Sequence, residues 1–133
     1  MNRIRRKLAD ERGAGLIEGL FALMLVLLVV GVAAQALAYA HAKSVAVAAA
    51  QDGARAAAAG GPDAGVVRAR AILAAAGDPG RSLRATAREA DDEVTVKVEG
   101  EAPRLFSLPL LLPAVRTSAS LPLERYPVAE AAP

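Results

Sequence analysis

Residues 19–40 read GLFALMLVLLVVGVAAQALAYA, an uncharged run of 22 residues between Glu18 and His41. Gln35 is the one strongly polar side chain within it. As an α-helix the run would measure about 33 Å at 1.5 Å per residue, which is enough to cross the hydrocarbon core of a bilayer. The sequence therefore predicts one membrane-spanning helix near the N-terminus.

The basic residues of the chain are concentrated before this run. Residues 1–13 hold five basic and two acidic residues, a net charge of +3, whereas the rest of the chain holds 11 basic and 12 acidic residues, a net charge of −1. Short basic segments beside a span stay in the cytoplasm. We therefore expect a single-pass protein of the cytoplasmic (inner) membrane, with its N-terminus cytoplasmic and everything after Ala40 extracytoplasmic.

The composition argues against several classes of function. There is no Cys and only one His, His41, so no disulfide, thiolate metal site, Cys nucleophile or His pair is available. Aromatic residues make up 3% of the chain and Trp is absent, which leaves little surface on which bases could stack. No nucleophile, base and orienting group occur together. We expect no enzyme, no cofactor, no metal and no nucleic-acid partner.

Helix-favouring composition continues beyond the apolar run. Alanine dominates as far as Ala59, and Gly60, Gly61 and Pro62 should end the helix. One long helix is predicted from about Ala14 to Ala59. A second, short helix should begin at Pro62 and stop near Gly77. Its apolar stripe at helical spacing is Val66, Ala69, Leu73 and Ala76.

After Gly77 the pattern changes to alternation, which is typical of strands. Residues 82–88 (SLRATAR), 93–100 (EVTVKVEG) and 114–121 (AVRTSASL) predict three antiparallel strands, with a turn at residues 89–92 (EADD). Residues 102–113 (APRLFSLPLLLP) contain three prolines and are predicted to form an apolar crossover loop covering the sheet.

The predicted fold class is α+β. A long N-terminal transmembrane helix is followed by a small domain with one short helix and an antiparallel sheet of about three strands. The predicted segments are a basic leader (1–13), the membrane helix (14–40), its extracytoplasmic continuation (41–59), the small α+β domain (60–126) and a disordered tail (127–133).

The start of the chain resembles a type IV prepilin. A basic stretch ends at Gly13 and GLIEGLFALMLV follows at residues 15–26. Prepilins are cut by a prepilin peptidase after a glycine, and a glutamate stands at the fifth mature position. The resemblance implies a cut between Gly13 and Ala14, with Glu18 as the fifth residue.

A second resemblance is to TadE-like proteins of tight-adherence pilus systems. It rests on AVAAAQDGARAAA at residues 46–58, and more loosely on VTVKV, the Pro/Leu loop and VRTSASL further along the chain. It covers residues 11–59 well. It implies a pilin-like subunit whose partners are a prepilin peptidase, other pilin-like subunits, an inner-membrane assembly platform and the lipid bilayer, with incorporation into a surface pilus as one outcome.

The departures from the pilin pattern favour a minor pilin or pseudopilin. Ala14 stands where major type IV pilins commonly have phenylalanine. Gly19 follows the glutamate, where the small major pilins of tight-adherence systems usually have tyrosine, and those pilins are much shorter than this chain.

Glu18 needs an explanation because a carboxylate at the edge of a membrane helix is costly. Cleavage after Gly13 would free the amino group of Ala14, a cation about one helical turn away. In pilin assemblies the family resemblance implies that this glutamate meets the amino terminus of a neighbouring subunit and sets the register between them.

Two other targeting routes remain open. An ordinary signal peptide would be cut after one of the small-residue sites between Ala36 and Ala42, and an uncut signal anchor would keep Met1. Either would deliver a small exported or membrane-anchored binding domain. Neither explains Glu18, and the apolar run is longer than a signal peptide needs.

Four further features have structural interpretations. Gly15 and Gly19 permit close helix packing, and Gln35 could hydrogen-bond across helices. Asp52 and Arg55 are spaced to form an ion pair on one helix. The segment ADDE at residues 90–93 fits a solvated hairpin turn better than a cation site.

Overall fold

The computed structural model of the chain describes residues 15–105 and 113–123, together with the helical backbone of residues 2–14. The order of elements is α1 (Asn2–Gly60), α2 (Pro62–Ala75), α3 (Asp78–Arg81), β1 (Leu83–Ala90), β2 (Glu93–Gly100) and β3 (Val115–Pro122). The predicted α+β class is confirmed. Most of the predicted Pro/Leu loop and all of the predicted tail, residues 127–133, lie outside the described residues.

The helix α1 begins earlier than predicted. Its backbone is helical from Asn2, so the predicted start at Ala14 is wrong. Residues 2–12 are mainly Arg, Lys, Leu, Ala and Glu, which favour helices. The change from polar to apolar composition therefore does not interrupt the backbone. The C-terminal end at Gly60 lies one residue beyond the predicted Ala59.

Contacts divide the chain into two compact units, Met1–Ala36 and Leu37–Pro133. The boundary falls among the residues of α1, so residues 37–60 of that helix belong to the second unit.

Glycines end the helices of the second unit. Gly61, between α1 and α2, has φ 86°, and Gly77, after α2, has φ 70°. Backbone in this region is disfavoured for residues that carry a Cβ. The one-turn helix α3 follows Gly77 directly and is an element that the sequence prediction missed, because a four-residue segment carries no periodicity to detect.

The three strands form one antiparallel sheet in the order β1-β2-β3. Val96, in the middle of β2, lies opposite Ala87 of β1 and Ala119 of β3. The alternation predicted from the sequence holds: Val94, Val96 and Val98 are fully buried. The side chains between them point to the other side of the sheet.

The turn between β1 and β2 is tighter than predicted. Glu89 and Ala90 belong to β1, and only Asp91 and Asp92 connect the strands. Both have positive φ, 53° and 61°, as a two-residue type I′ hairpin requires.

The core lies between the buried side of the sheet and the two helices α1 and α2. Residues 42–57 of α1 bury a stripe of small side chains, and α2 buries Gly65, Ala69 and Leu73. The alanine stripe consists of Ala42, Ala46, Ala49, Ala50, Ala54 and Ala57. Small side chains allow backbones to approach closely, so the valines of β2 can fill the layer between helix and sheet.

Candidate functional site

The apolar part of α1 between Leu16 and Val30 is exposed along its whole length. Its large side chains range from 52% exposed at Leu28 to 77% at Leu16. The most apolar 18-residue window of the helix has a mean hydropathy of 2.7, and none of it is buried within the protein. Exposed apolar surface of this extent marks a site of membrane or protein contact. This helix is long and apolar enough to span a membrane.

Glu18 is exposed near the start of this apolar surface. The helix surface at Gly15 and Gly19 is uncovered. A Cβ built on either glycine would have no atom within 4 Å apart from the adjacent backbone of its own helix. The helix surface around Glu18 is therefore free to receive another helix or lipid. Within the chain α1 is continuous through residues 13–18, which puts Ala14 four residues, about one turn, before Glu18.

Gln35 differs from its surroundings because it is only 6% exposed. No buried side-chain nitrogen or oxygen in the described part of the chain lacks a hydrogen-bond partner. Gln35 has an interaction partner within the protein. Its predicted hydrogen bond across helices stays a prediction.

Asp52 forms ion pairs with one arginine on its own helix and with one on α2. Its Oδ1 lies 2.7 Å from Arg55 Nη1, so the pair expected from the spacing is present, and its Oδ2 lies 3.4 Å from Arg68 Nη2 on α2. Sequence reasoning missed Arg68 because 16 residues separate it from Asp52 and no local pattern links them. These groups are partly exposed, so the pairs contribute little to stability.

Gly53 lies where α1 and α2 come closest. A Cβ on Gly53 would stand 3.0 Å from the carbonyl oxygen of Gly65 and 3.1 Å from Cγ1 of Val96. The QDGAR segment is thus a packing segment, with Gly53 against the core and its charged residues facing solvent. A glycine inside a helix costs stability, which is the one sequence signal that could have identified this contact.

The side of the sheet that faces away from the helices is polar. We call it the outer face and define it by Arg84, Arg88, Lys97, Glu99 and Arg116 together with the hydroxyl residues between them. Thr95 Oγ1 and Ser120 Oγ lie 3.0 Å apart across β2 and β3. Lys97 Nζ lies 2.6 Å from Glu99 Oε2. This hydrogen bond and the positive charge of Lys97 lower the pKa of Glu99 below its ordinary value.

No metal centre is visible in the described part of the chain. Among residues 15–105 and 113–123, no three His, Asp or Glu side chains are arranged so that they could hold a metal ion. This includes the acidic residues of the β1–β2 turn, which form the hairpin predicted for them.

Comparison of the chain with protein-family models, with curated proteins and with solved structures found no match. Its function must therefore be argued from its own residues.

Proposed function

We propose that the chain is a minor pilin or pseudopilin-like subunit of a tight-adherence pilus or related secretion apparatus. In this proposal it is made with a leader, cut after Gly13 by a prepilin peptidase and assembled through α1. The observation that carries the proposal is the exposed apolar segment of α1 from Leu16 to Val30, whose one carboxylate, Glu18, stands at the fifth position after Gly13.

The packing of the second unit supports this route over an ordinary signal peptide. The small-residue cut sites would create new N-termini at Tyr39, His41 or Lys43. Tyr39 packs against the core and Ala42 is fully buried within it. A cut there would fall inside a continuous helix and would leave core residues at a frayed end. A cut after Gly13 leaves residues 37–60 of α1 intact.

Glu18 acts in assembly. A carboxylate in the apolar part of a membrane costs about 2.5–3.5 kcal/mol at the centre of a helix and less near the interface. A cationic partner offsets this cost, and cleavage creates one in the amino group of Ala14. When the partner belongs to the neighbouring subunit, the pair holds the two helices in one axial register.

The mass of the mature N-terminus tests processing. We expect the protein isolated from membranes of a cell that contains the peptidase to begin at Ala14. A protein that begins at residues 39–43 would instead be a signal-peptidase product, and one that begins at Met1 would be an uncut anchor. Either result contradicts the proposal and supports an exported or anchored binding domain.

Substitution at Glu18 tests assembly separately. Glu18→Gln keeps the shape of the side chain and removes its charge. We expect normal cleavage but an incorporation into the apparatus that is lower by about tenfold or more, the equivalent of losing about 1.4 kcal/mol. Glu101→Gln, at an exposed ion pair with Arg104, is the matched control and should assemble normally. Normal assembly of Glu18→Gln would refute this role.

A further inference from the structure

Charged side chains are distributed unevenly along the strands of the sheet. At the β1–β2 end, residues 89–93 place four carboxylates within five residues, and we call this segment the acidic tip. The outer face carries Arg84, Arg88, Lys97 and Arg116 against Glu99, and Glu93 of the acidic tip lies on the same side of β2 as Lys97 and Glu99. Arg84 and Arg116 lie on either side of Glu99 in one row across the three strands. That row is about seven residues from the turn, a distance of about 23 Å at 3.3 Å per residue.

Most of these charges have no ion-pair partner among residues 15–105 and 113–123; Asp92 is engaged, and Arg116 is close enough to Glu99 to contribute to lowering its pKa. In residues 15–105 and 113–123, Glu89, Asp91 and Glu93 of the acidic tip form no ion pair, and neither do Arg84, Arg88 or Arg116. On the described outer face the one ion pair joins Lys97 to Glu99. The two surfaces therefore have opposite net charges that are available to a partner.

The acidic tip also keeps residues that the turn itself does not favour. A type I′ turn is lowest in energy with Asn-Gly or Asp-Gly, because both central residues need positive φ. This chain has Asp91 and Asp92 at φ 53° and 61°, side by side with like charges. Aspartate tolerates this backbone conformation better than most residues that carry a Cβ, so the turn forms although it places two carboxylates next to each other in the sequence.

We propose that the acidic tip of one copy of this chain docks on the outer face of a second copy. Carboxylates of the tip meet Arg84 and Arg116, and the hydroxyl of Thr86, in the neighbouring row, offers a hydrogen bond. The two surfaces are different parts of the molecule, so the contact is head-to-tail. Such a contact does not close into a pair and can repeat along an assembly. It goes beyond the proposed function and does not depend on how the N-terminus is processed.

Cross-linking of the full chain in lipid vesicles tests the contact, and the absence of native cysteine makes the result specific. Copies carrying Ala90→Cys, which leaves every charge of the acidic tip in place, are mixed with size-tagged copies carrying Ser118→Cys on the outer face. We expect the mixed disulfide to form in about tenfold excess over either homodimer. Val67→Cys, at a 67% exposed position on α2, replaces Ser118→Cys as the control and should give background yield.

Charge reversal tests the electrostatic basis. Arg84→Glu with Arg116→Glu in the Ser118→Cys copy should lower the mixed yield by about tenfold. Adding Glu89→Lys with Glu93→Lys to the Ala90→Cys copy should restore it. Raising salt from about 0.1 M to about 1 M shortens the Debye length from about 10 Å to about 3 Å and should weaken the native contact. Hydrogen exchange of the β2 amides verifies that each variant is folded.

Three outcomes would overturn the proposal: a mixed yield no higher than that of the Val67→Cys control, a dominant Ser118→Cys homodimer, or reversed charges without effect in folded variants. None of them bears on whether the protein is cut after Gly13. Conversely, a mature protein that begins at Met1 and still forms the mixed cross-link would refute the proposed processing and leave this contact standing.

Discussion

Gly53 of α1 and Gly65 of α2 approach each other through their backbones. A Cβ on Gly65 would lie 2.8 Å from the carbonyl oxygen of Gly53 and 2.6 Å from the Cβ of Ala57, while a Cβ on Gly53 would lie 3.0 Å from the carbonyl oxygen of Gly65. A methyl group on Gly65 would force the helices apart, and one on Gly53 would be tightly packed. The close crossing of α1 and α2 places the alanine stripe of α1 against the valines of β2. The core of the second unit therefore depends on this crossing.

Gly65→Ala should therefore destabilise the second unit. Alanine favours the helical state, but the clash forces the helices apart, and we expect a net loss of about 1–3 kcal/mol in the free energy of unfolding. Hydrogen exchange of the β2 amides, with the full chain in detergent micelles, measures this loss. Gly19→Ala is the matched control, because its methyl group would meet nothing within 4 Å. Equal protection in both variants would show that the crossing tolerates a wider separation.

Val96→Ala tests whether the sheet is held by its central valine. Val96 is fully buried, and removing its two methyl groups should cost about 2 kcal/mol through lost burial and the cavity left behind. Val67→Ala makes the same chemical change at an exposed position and should alter stability by less than about 0.5 kcal/mol. A loss of comparable size at both positions, measured by the same exchange experiment, would place the core elsewhere.

Lys97→Gln should raise the pKa of Glu99 toward its ordinary value, because Lys97 supplies the hydrogen bond and the charge that lower it. A pKa lower in the folded than in the unfolded chain means that ionised Glu99 contributes stability above its unfolded pKa. That contribution is lost as the pH falls through the folded pKa. NMR titration of the carboxyl group measures the shift. Lys43→Gln on α1 should leave it unchanged, and an unmoved Glu99 pKa in Lys97→Gln would exclude the pair in solution.

Asp91→Asn with Asp92→Gly should stabilise the hairpin by about 1 kcal/mol, because Asn-Gly is the preferred pair for a type I′ turn and glycine adopts positive φ without cost. The same double substitution removes two carboxylates from the acidic tip and should weaken the cross-link between copies. Thermal unfolding together with the cross-linking yield separates the two effects. A variant that is more stable and cross-links normally would mean that the turn residues serve no docking function.

Glu18 itself illustrates how far local sequence can lead. The order of residues alone shows its position relative to Gly13, the basic leader and the apolar run. It also shows that the apolar run is long enough to cross a bilayer. The valine alternation of β2 likewise predicts which of its side chains are buried. The α+β class, the three strands and the second helix could be predicted because periodicity and helix-ending residues are local properties.

What only the tertiary structure decided are relations between distant residues. No local signal pairs Asp52 with Arg68, brings Gly53 against Gly65, or places Arg84 and Arg116 on either side of Glu99. The start of α1 at Asn2 was also missed. The residues change from polar to apolar near Ala14, but the hydrogen bonds of the helix backbone continue through this point. By itself the sequence determined the long helix, the second helix, the three strands and the membrane-compatible surface, since these follow from neighbours along the chain, whereas the one-turn helix α3 did not. The packing contacts and the charge polarity of the sheet came from the tertiary structure, because burial and charge pairing depend on which segments meet in space.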